Sequence, residues 1–288
     1  MNRDAPGEGR SGSGLAALRP ALELRFPRPS VMGVVNVTPD SFSDGGVHLY
    51  PPAAITAARG MLDAGAVIVD IGGESTRPGA SGVPLDEELA RVLPVLEGLE
   101  GEAFSIDTAK AEVARRALAL GAEFVNDVTA LRGDPELAAV VAGAGAYLCL
   151  MHMRGEPATM QLHPVYDDVV SEVKAFLEGR LAFAVSQGVR EELVCLDPGI
   201  GFGKTVEDNF ELIRRLPELA AIGRPLLIGF SRKSALGRIM GNPTAATGTI
   251  AASIGVAVAA FDRGATLIRA HDVSEHVEAL TAAAAVVG

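Results

Sequence analysis

Residues 32–46 read MGVVNVTPDSFSDGG. An apolar run ends at Asn36 and gives way to Thr38, Pro39, Asp40, Ser41, Ser43, Asp44 and two glycines. Such a stretch packs poorly but is rich in oxygen ligands and backbone freedom, and a polar loop held by a rigid strand is a common seat of ligand chemistry. The same unit recurs along the chain. Short apolar runs lie at 31–37, 66–71, 103–107, 124–128, 146–151, 193–197, 225–230 and 266–270. Continuous runs of this length suit strands covered on both faces, as in parallel sheets. Between them, residues 85–99, 109–120, 134–143, 166–187 and 246–262 carry helical spacing, and Gly65, Gly121, Gly188 and Gly264 read as helix stops. Eight strand–helix alternations predict a (β/α)8 TIM barrel, with a doubly wound open sheet as the alternative.

The 288 residues are 48% hydrophobic and 21% charged, enough for a sizeable core and too apolar for disorder. A net charge of −11 argues against a nucleic-acid-binding face. Only Lys110, Lys174, Lys204 and Lys233 are lysines, so positive charge for an anionic substrate must be local. Residues 1–20 read as a flexible tail without the apolar core of a secretory leader, and residues 21–288 as one domain. No run approaches the ~20 apolar residues of a membrane span. Cys149 and Cys195, far apart in apolar runs, read as buried free thiols in the cytoplasm.

In a barrel of this kind the active site lies at the C-terminal strand ends. There the sequence places Asn36, Asp70 to Arg77, Asp107, Asn126 with Asp127, His152, Asp197, Ser231 to Lys233, and Arg269 with His271 and Asp272. Any one of them could be a turn former or helix cap. Eight such ends converging on one rim describe a polar pocket for a small, heteroatom-rich molecule. Asp107 and Asp197, each delivered by an apolar strand, suit a fork accepting two parallel N–H bonds from an amino-substituted heterocycle. Gly203-Lys204-Thr205 matches the end of a P-loop, but Pro198 stands where that motif needs glycine. Ser231 and the following amides precede a helix-like segment and could meet a carboxylate or phosphate. Zinc-type ligand spacing is absent, and any cation would be a hard one held by oxygen.

With DIGGESTRPG (70–79), SIDT (105–108), NDV (126–128), LMHMRG (150–155), LDPGIGFGK (196–204), GFSRKS (229–234) and RAHD (269–272), the chain resembles the dihydropteroate synthases over residues 25–285. The resemblance implies a homodimeric barrel that condenses 6-hydroxymethyl-7,8-dihydropterin diphosphate with p-aminobenzoate, assisted by Mg²⁺, releasing pyrophosphate. It further implies that Asp107, Asn126, Asp197, Lys233 and Arg269 hold the pterin, and that Asn36, Arg269 and His271 grip the diphosphate. Asn36 would also ligate the metal. Thr76, Arg77, Pro78, Phe202, Ser231 and Lys233 would form the p-aminobenzoate side. Asn36, Arg269, His271 and Lys233 would be catalytic, in an SN1-like departure of pyrophosphate. Loops 36–47 and 74–83 would close over the site. The rival readings are a methyltetrahydrofolate–corrinoid methyltransferase, which has no need of the TPDSFSDGG and ESTRPG loops, and a non-catalytic pterin-binding paralogue, in which loop residues would have been lost.

Overall fold

The computed structural model describes residues 19–38, 51–76, 80, 82–155, 159–162 and 164–287. Among these residues eight parallel strands alternate with helices. The strands are β1 (Ser30–Asn36), β2 (Ile68–Gly72), β3 (Phe104–Asp107), β4 (Phe124–Asp127), β5 (Tyr147–Met151), β6 (Val194–Asp197), β7 (Leu227–Ile228) and β8 (Leu267–Ala270). A short helix, α1 (Leu22–Arg25), precedes β1, and α2 (Pro51–Asp63), α3 (Leu85–Glu97), α4 (Ala111–Ala119), α5 (Leu137–Ala144) and α6 (Val169–Ser186) follow the first five strands in turn. The second half carries α7 (Val206–Arg214), α8 (Leu216–Ala220), α9 (Ser234–Ile239), α10 (Ile250–Asp262) and α11 (Val273–Val287). Gly65, Gly121, Gly188 and Gly264 all adopt positive φ just past helix ends, as expected of stop residues.

The strand order β6-β5-β4-β3-β2-β1-β8-β7 wraps the sheet around, and a single parallel bridge between Leu196 and Leu226 closes it. That seam is thin because Pro225 can accept, taking the Leu196 amide at 2.9 Å, but cannot donate. The strand expected over 225–230 is therefore reduced to Leu227–Ile228. The architecture is a TIM barrel, not an open doubly wound sheet.

Alternation along each strand divides the core in two. Val31, Val35, Val69, Ile71, Ile106, Val125, Leu148, Leu150 and Ile268 join the helices in the outer core. Met32, Ile68, Phe124, Tyr147, Cys149, Cys195, Leu227 and Leu267 form the second cluster with Leu22 and Phe26 of the α1 segment. Phe26 meets Tyr147 edge-on with centroids 5.3 Å apart and Phe124 at 6.0 Å, favourable aromatic geometry. Arg19 and Pro20, assigned to the tail by sequence, already touch this plug: the Tyr147 hydroxyl donates to the Pro20 carbonyl at 3.0 Å, and Arg19 lies over its ring. Cys149 and Cys195 are free and buried, and they are register partners on β5 and β6.

Candidate active site

Two residues further along each strand the interior changes character. Register pairs Gly72 with Asp107 and Asp107 with Asn126, and two residues further along β5 and β6 it sets Met151 beside Asp197. A cleft opens there, lined by Val34, Thr76, Asp107, Asn126, Val128, Met151, Asp197, Phe202, Gly229, Ser231, Lys233, Arg269 and His271.

Its floor is a buried charge network. The Arg269 guanidinium reaches across from β8, donating to Asp70 at 2.7 Å and to Asp107 at 2.9 Å. Asp70, fully buried, also accepts from Ser105 Oγ at 2.5 Å and Asn126 Nδ2 at 2.9 Å. Burial pushes the Asp107 carboxyl up to about 8; Arg269 opposes this and Asp70 adds to it. Burial also raises Asp197, against the pull of Lys233. Arg269 donates to Asp107 Oδ2 and the Gly199 amide to Asp197 Oδ1 at 2.7 Å, so one oxygen of each carboxylate is already engaged. Buried carboxylates need partners, and before a ligand arrives the protein supplies them.

Lys233, at the N-cap of α9, donates to the Ile200 carbonyl and places its Nζ 4.7 Å from the centre of the Phe202 ring. Burial lowers its ammonium to about 8, with Asp197 pulling it back up. Arg232, just before it, sits at φ 57, a conformation that costs a non-glycine residue free energy and must be held from outside. An ion pair with Asp272 and a bond from its amide to Ser253 Oγ at 3.0 Å supply that restraint. The turn leaves Ser231 and Lys233 both on the cleft. Ser231 Oγ accepts the His271 amide at 3.2 Å and lies 3.1 Å from His271 Nδ1.

This geometry accompanies a sequence match over most of the chain. A family model described as pterin binding enzyme covers residues 32–271. The chain belongs to the pterin binding enzyme family. Among curated members it is 44% identical to the dihydropteroate synthase of Escherichia coli K12 over 260 residues, spanning 89% of this chain and 91% of that one. It is 47% identical to that of Synechocystis over 249 residues, 85% and 86% of the two chains. Of solved structures, a Yersinia pestis dihydropteroate synthase in a sulfonamide drug complex superposes with a TM-score of 0.84 at 43% identity, covering 90% and 94%. A Xanthomonas albilineans dihydropteroate synthase in complex with 7,8-dihydropteroate gives 0.81 at 42%, covering 93% and 98%.

For this pterin binding enzyme, the structure brings Thr76, Asp107, Asn126, Asp197, Phe202, Ser231, Lys233, Arg269 and His271 to one cleft. Asn36 does not line it but ends β1 beside Gly72. Arg77 and Pro78 lie outside the described residues, as does most of loop 36–47. No group of three His, Cys, Asp or Glu side chains among the described residues could cage a metal. An amide oxygen such as that of Asn36 is a hard donor of the kind Mg²⁺ takes, with waters and substrate phosphates completing its shell.

Sequence reasoning missed two contributors. Asp70 was visible only as one strand-end carboxylate among several; its role as the common partner of Ser105, Asn126 and Arg269 depends on three other strands. Lys204 was set aside as a failed P-loop lysine. Its side chain turns inward, 2% exposed, onto backbone carbonyls. On the outer side of the rim, Glu88, fully buried, accepts from Thr108 at 2.7 Å and Lys110 at 2.5 Å, and Lys110 also pairs with Glu74. This network anchors the segment leading to Thr76.

Proposed function

We propose that the protein is a dihydropteroate synthase, condensing 6-hydroxymethyl-7,8-dihydropterin diphosphate with p-aminobenzoate to give 7,8-dihydropteroate and pyrophosphate. The observation that carries this reading is the convergence, on one rim, of two buried carboxylates and an amide able to read an aminated ring with cationic and hydroxyl groups able to receive anions. In this reading Asp107, Asn126, Asp197 and Lys233 hold the pterin, with Arg269 along its face. Ring N–H groups reach Asp197 and Asn126 as they stand, while Arg269 must yield its bond to Asp107. Both states of Asp107 are then partnered, by arginine before binding and by pterin after it.

Phe202, Ser231, Thr76, Arg77, Pro78 and Lys233 form the p-aminobenzoate side, and Asn36, Arg269 and His271 face the diphosphate. An aniline nitrogen is neutral and needs no base before attack, so loss of pyrophosphate is the demanding step. The Arg269 guanidinium and the His271 ring donate to oxygens whose negative charge grows as the C–O bond breaks, which is electrostatic catalysis in a preorganised site. The electron-rich pterin stabilises the methylene cation, and the aniline nitrogen, held in line, captures it. When bound, Mg²⁺ adds charge neutralisation at the diphosphate, with Asn36 as its protein ligand. The reading also takes residues 21–288 as one domain, in a homodimeric, cytoplasmic enzyme.

The test is p-aminobenzoate-dependent release of pyrophosphate from the pterin diphosphate. Release is expected, with product of the mass of 7,8-dihydropteroate. Tight pterin binding without release would favour the non-catalytic paralogue, and methyl transfer from a methylated tetrahydropterin the methyltransferase.

A further inference from the structure

The β6–α7 turn, residues 198–204, lies pressed on the end of β5. Gly199 and Gly203 adopt φ of 68 and 64, and a Cβ on either would run into the carbonyl of His152 or Arg154 respectively. Such close contact brings carbonyls of both loops together, and unpaired carbonyls in a dry site are costly. The Lys204 amine stands at their centre. Its Nζ donates to Gly199 O at 2.9 Å and Phe202 O at 3.1 Å, and lies 2.8 Å from His152 Nδ1. His152 is itself buried and seated edge-on against Phe176, with centroids 4.8 Å apart. The Tyr166 hydroxyl adds a second fastening, donating to Gly203 O at 2.7 Å.

A lysine ordinarily keeps its ammonium in water. Here no carboxylate forms an ion pair with it among the described residues, and burial lowers the amine to about 7. The position therefore has a cost, and what it provides is a fixed turn. That turn carries Phe202, packed against Val128, Met151, Met153 and Met160, and the Ile200 carbonyl that receives Lys233. Lys204 does not line the cleft.

We propose that Lys204, with His152 as its partner, is a positioning residue for the p-aminobenzoate side of the site: it fixes the wall formed by Phe202 without touching either substrate. The proposal rests on the assignment of the Phe202 side to p-aminobenzoate. Of the groups assigned to the pterin, Asp107 and Asn126 are held by β3, β4, Asp70 and Arg269 independently of this clamp, whereas Asp197 and Lys233 touch the same turn at the Gly199 amide and the Ile200 carbonyl.

Steady-state kinetics on the full chain, with calorimetric titration of pterin diphosphate, test it. Lys204→Met should raise KM for p-aminobenzoate about tenfold, the loss of one to two hydrogen bonds' worth of positioning. The kcat should stay within about threefold, and pterin affinity should fall by no more than about threefold, clearly less than the rise in KM, because two of its four holders lie off the turn. His152→Leu should follow it in direction, whereas His152→Asn, whose side chain can reproduce Nδ1, should restore the wild-type KM. If Lys204→Met does not fold, the His152 pair decides. A KM unchanged in these variants, or a parallel loss of pterin affinity, overturns the proposal. A wild-type protein releasing no pyrophosphate would instead overturn the functional reading on which it rests.

Discussion

The two ends of the barrel interior are built by the same strands to opposite purposes. At the N-terminal end the inward side chains are Met32, Ile68, Phe124, Tyr147, Leu227 and Leu267, sealed by Phe26. One alternation further along they include Val34, Asp70, Asn126 and Arg269. Both levels reach full burial in places, as at Phe124 below and Asp70 above. What differs is the source of stability. The lower level gains from apolar area and aromatic geometry. The upper level gains little, because its charges have given up water and largely compensate one another. It exists to meet a ligand, and the lower level must supply the stability that permits it.

The largest expected effect breaks the lower level alone. Phe124→Ala removes a fully buried ring from the aromatic plug and should cost about 3–5 kcal/mol of stability. Because no lower-level residue touches the cleft, kcat/KM per folded molecule at low temperature should be unchanged. Thermal unfolding together with active-site titration checks both halves; a fall in specific activity would show that the two levels are coupled.

At the upper level the pattern should invert. His271→Ala should leave stability almost untouched and lower the single-turnover rate by about 10²–10³, by analogy with donors that act on developing charge. Pterin affinity should fall far less, since the charge on the bridging oxygen grows only as the bond breaks. Equal losses in rate and affinity would place His271 in ground-state binding instead.

Smaller, and confined to affinity, are Lys233→Ala and Asp197→Asn. On the proposed reading each removes a charged hydrogen bond to the pterin and should weaken binding of its diphosphate by about 1.5–3 kcal/mol, measured by calorimetry. Lys233 also braces the Ile200 carbonyl, so its replacement should additionally raise KM for p-aminobenzoate, whereas Asp197→Asn should not. If both leave pterin affinity unchanged, the ring pocket is elsewhere.

The two levels were unequally legible in the sequence. The barrel was readable because β-branched runs, helical spacing and stop glycines such as Gly121 and Gly264 are local signals. Gly65 marked the end of a helix whose start, Pro51, lies in a first turn where proline is at home. At the cleft, residue identities were readable but their pairings were not. Arg269 and Asp70 are 199 positions apart, and nothing in RAHD or DIGG tells that the guanidinium lies between two carboxylates. Lys204 went unassigned for a related reason: with the P-loop match ruled out by Pro198, nothing local gives it a role, and only the placement of His152 beneath the turn reveals its partners.

The smallest effect is a slope, and it tests whether the upper level carries a standing cost. Burial holds the Asp107 carboxyl near 8 in the folded protein, against 3.8 for the free group. Between these values the folded state keeps a proton that the unfolded chain has released, so stability falls as pH rises through that window and levels off above about 8. Asp107→Asn cannot titrate. The melting temperature of the variant relative to wild type should therefore climb from pH 4 to pH 8 and then flatten. Asp197, also raised, is present in both proteins and cancels in the difference. The Phe124→Ala difference, taken over the same range, should show no such slope, because that site contains no titratable carboxylate. A flat or falling difference for Asp107→Asn would mean that Arg269 fully stabilises the ionised form. The upper level would then be as settled as the lower, and pterin binding would have to displace a strong ion pair rather than relieve a strained one.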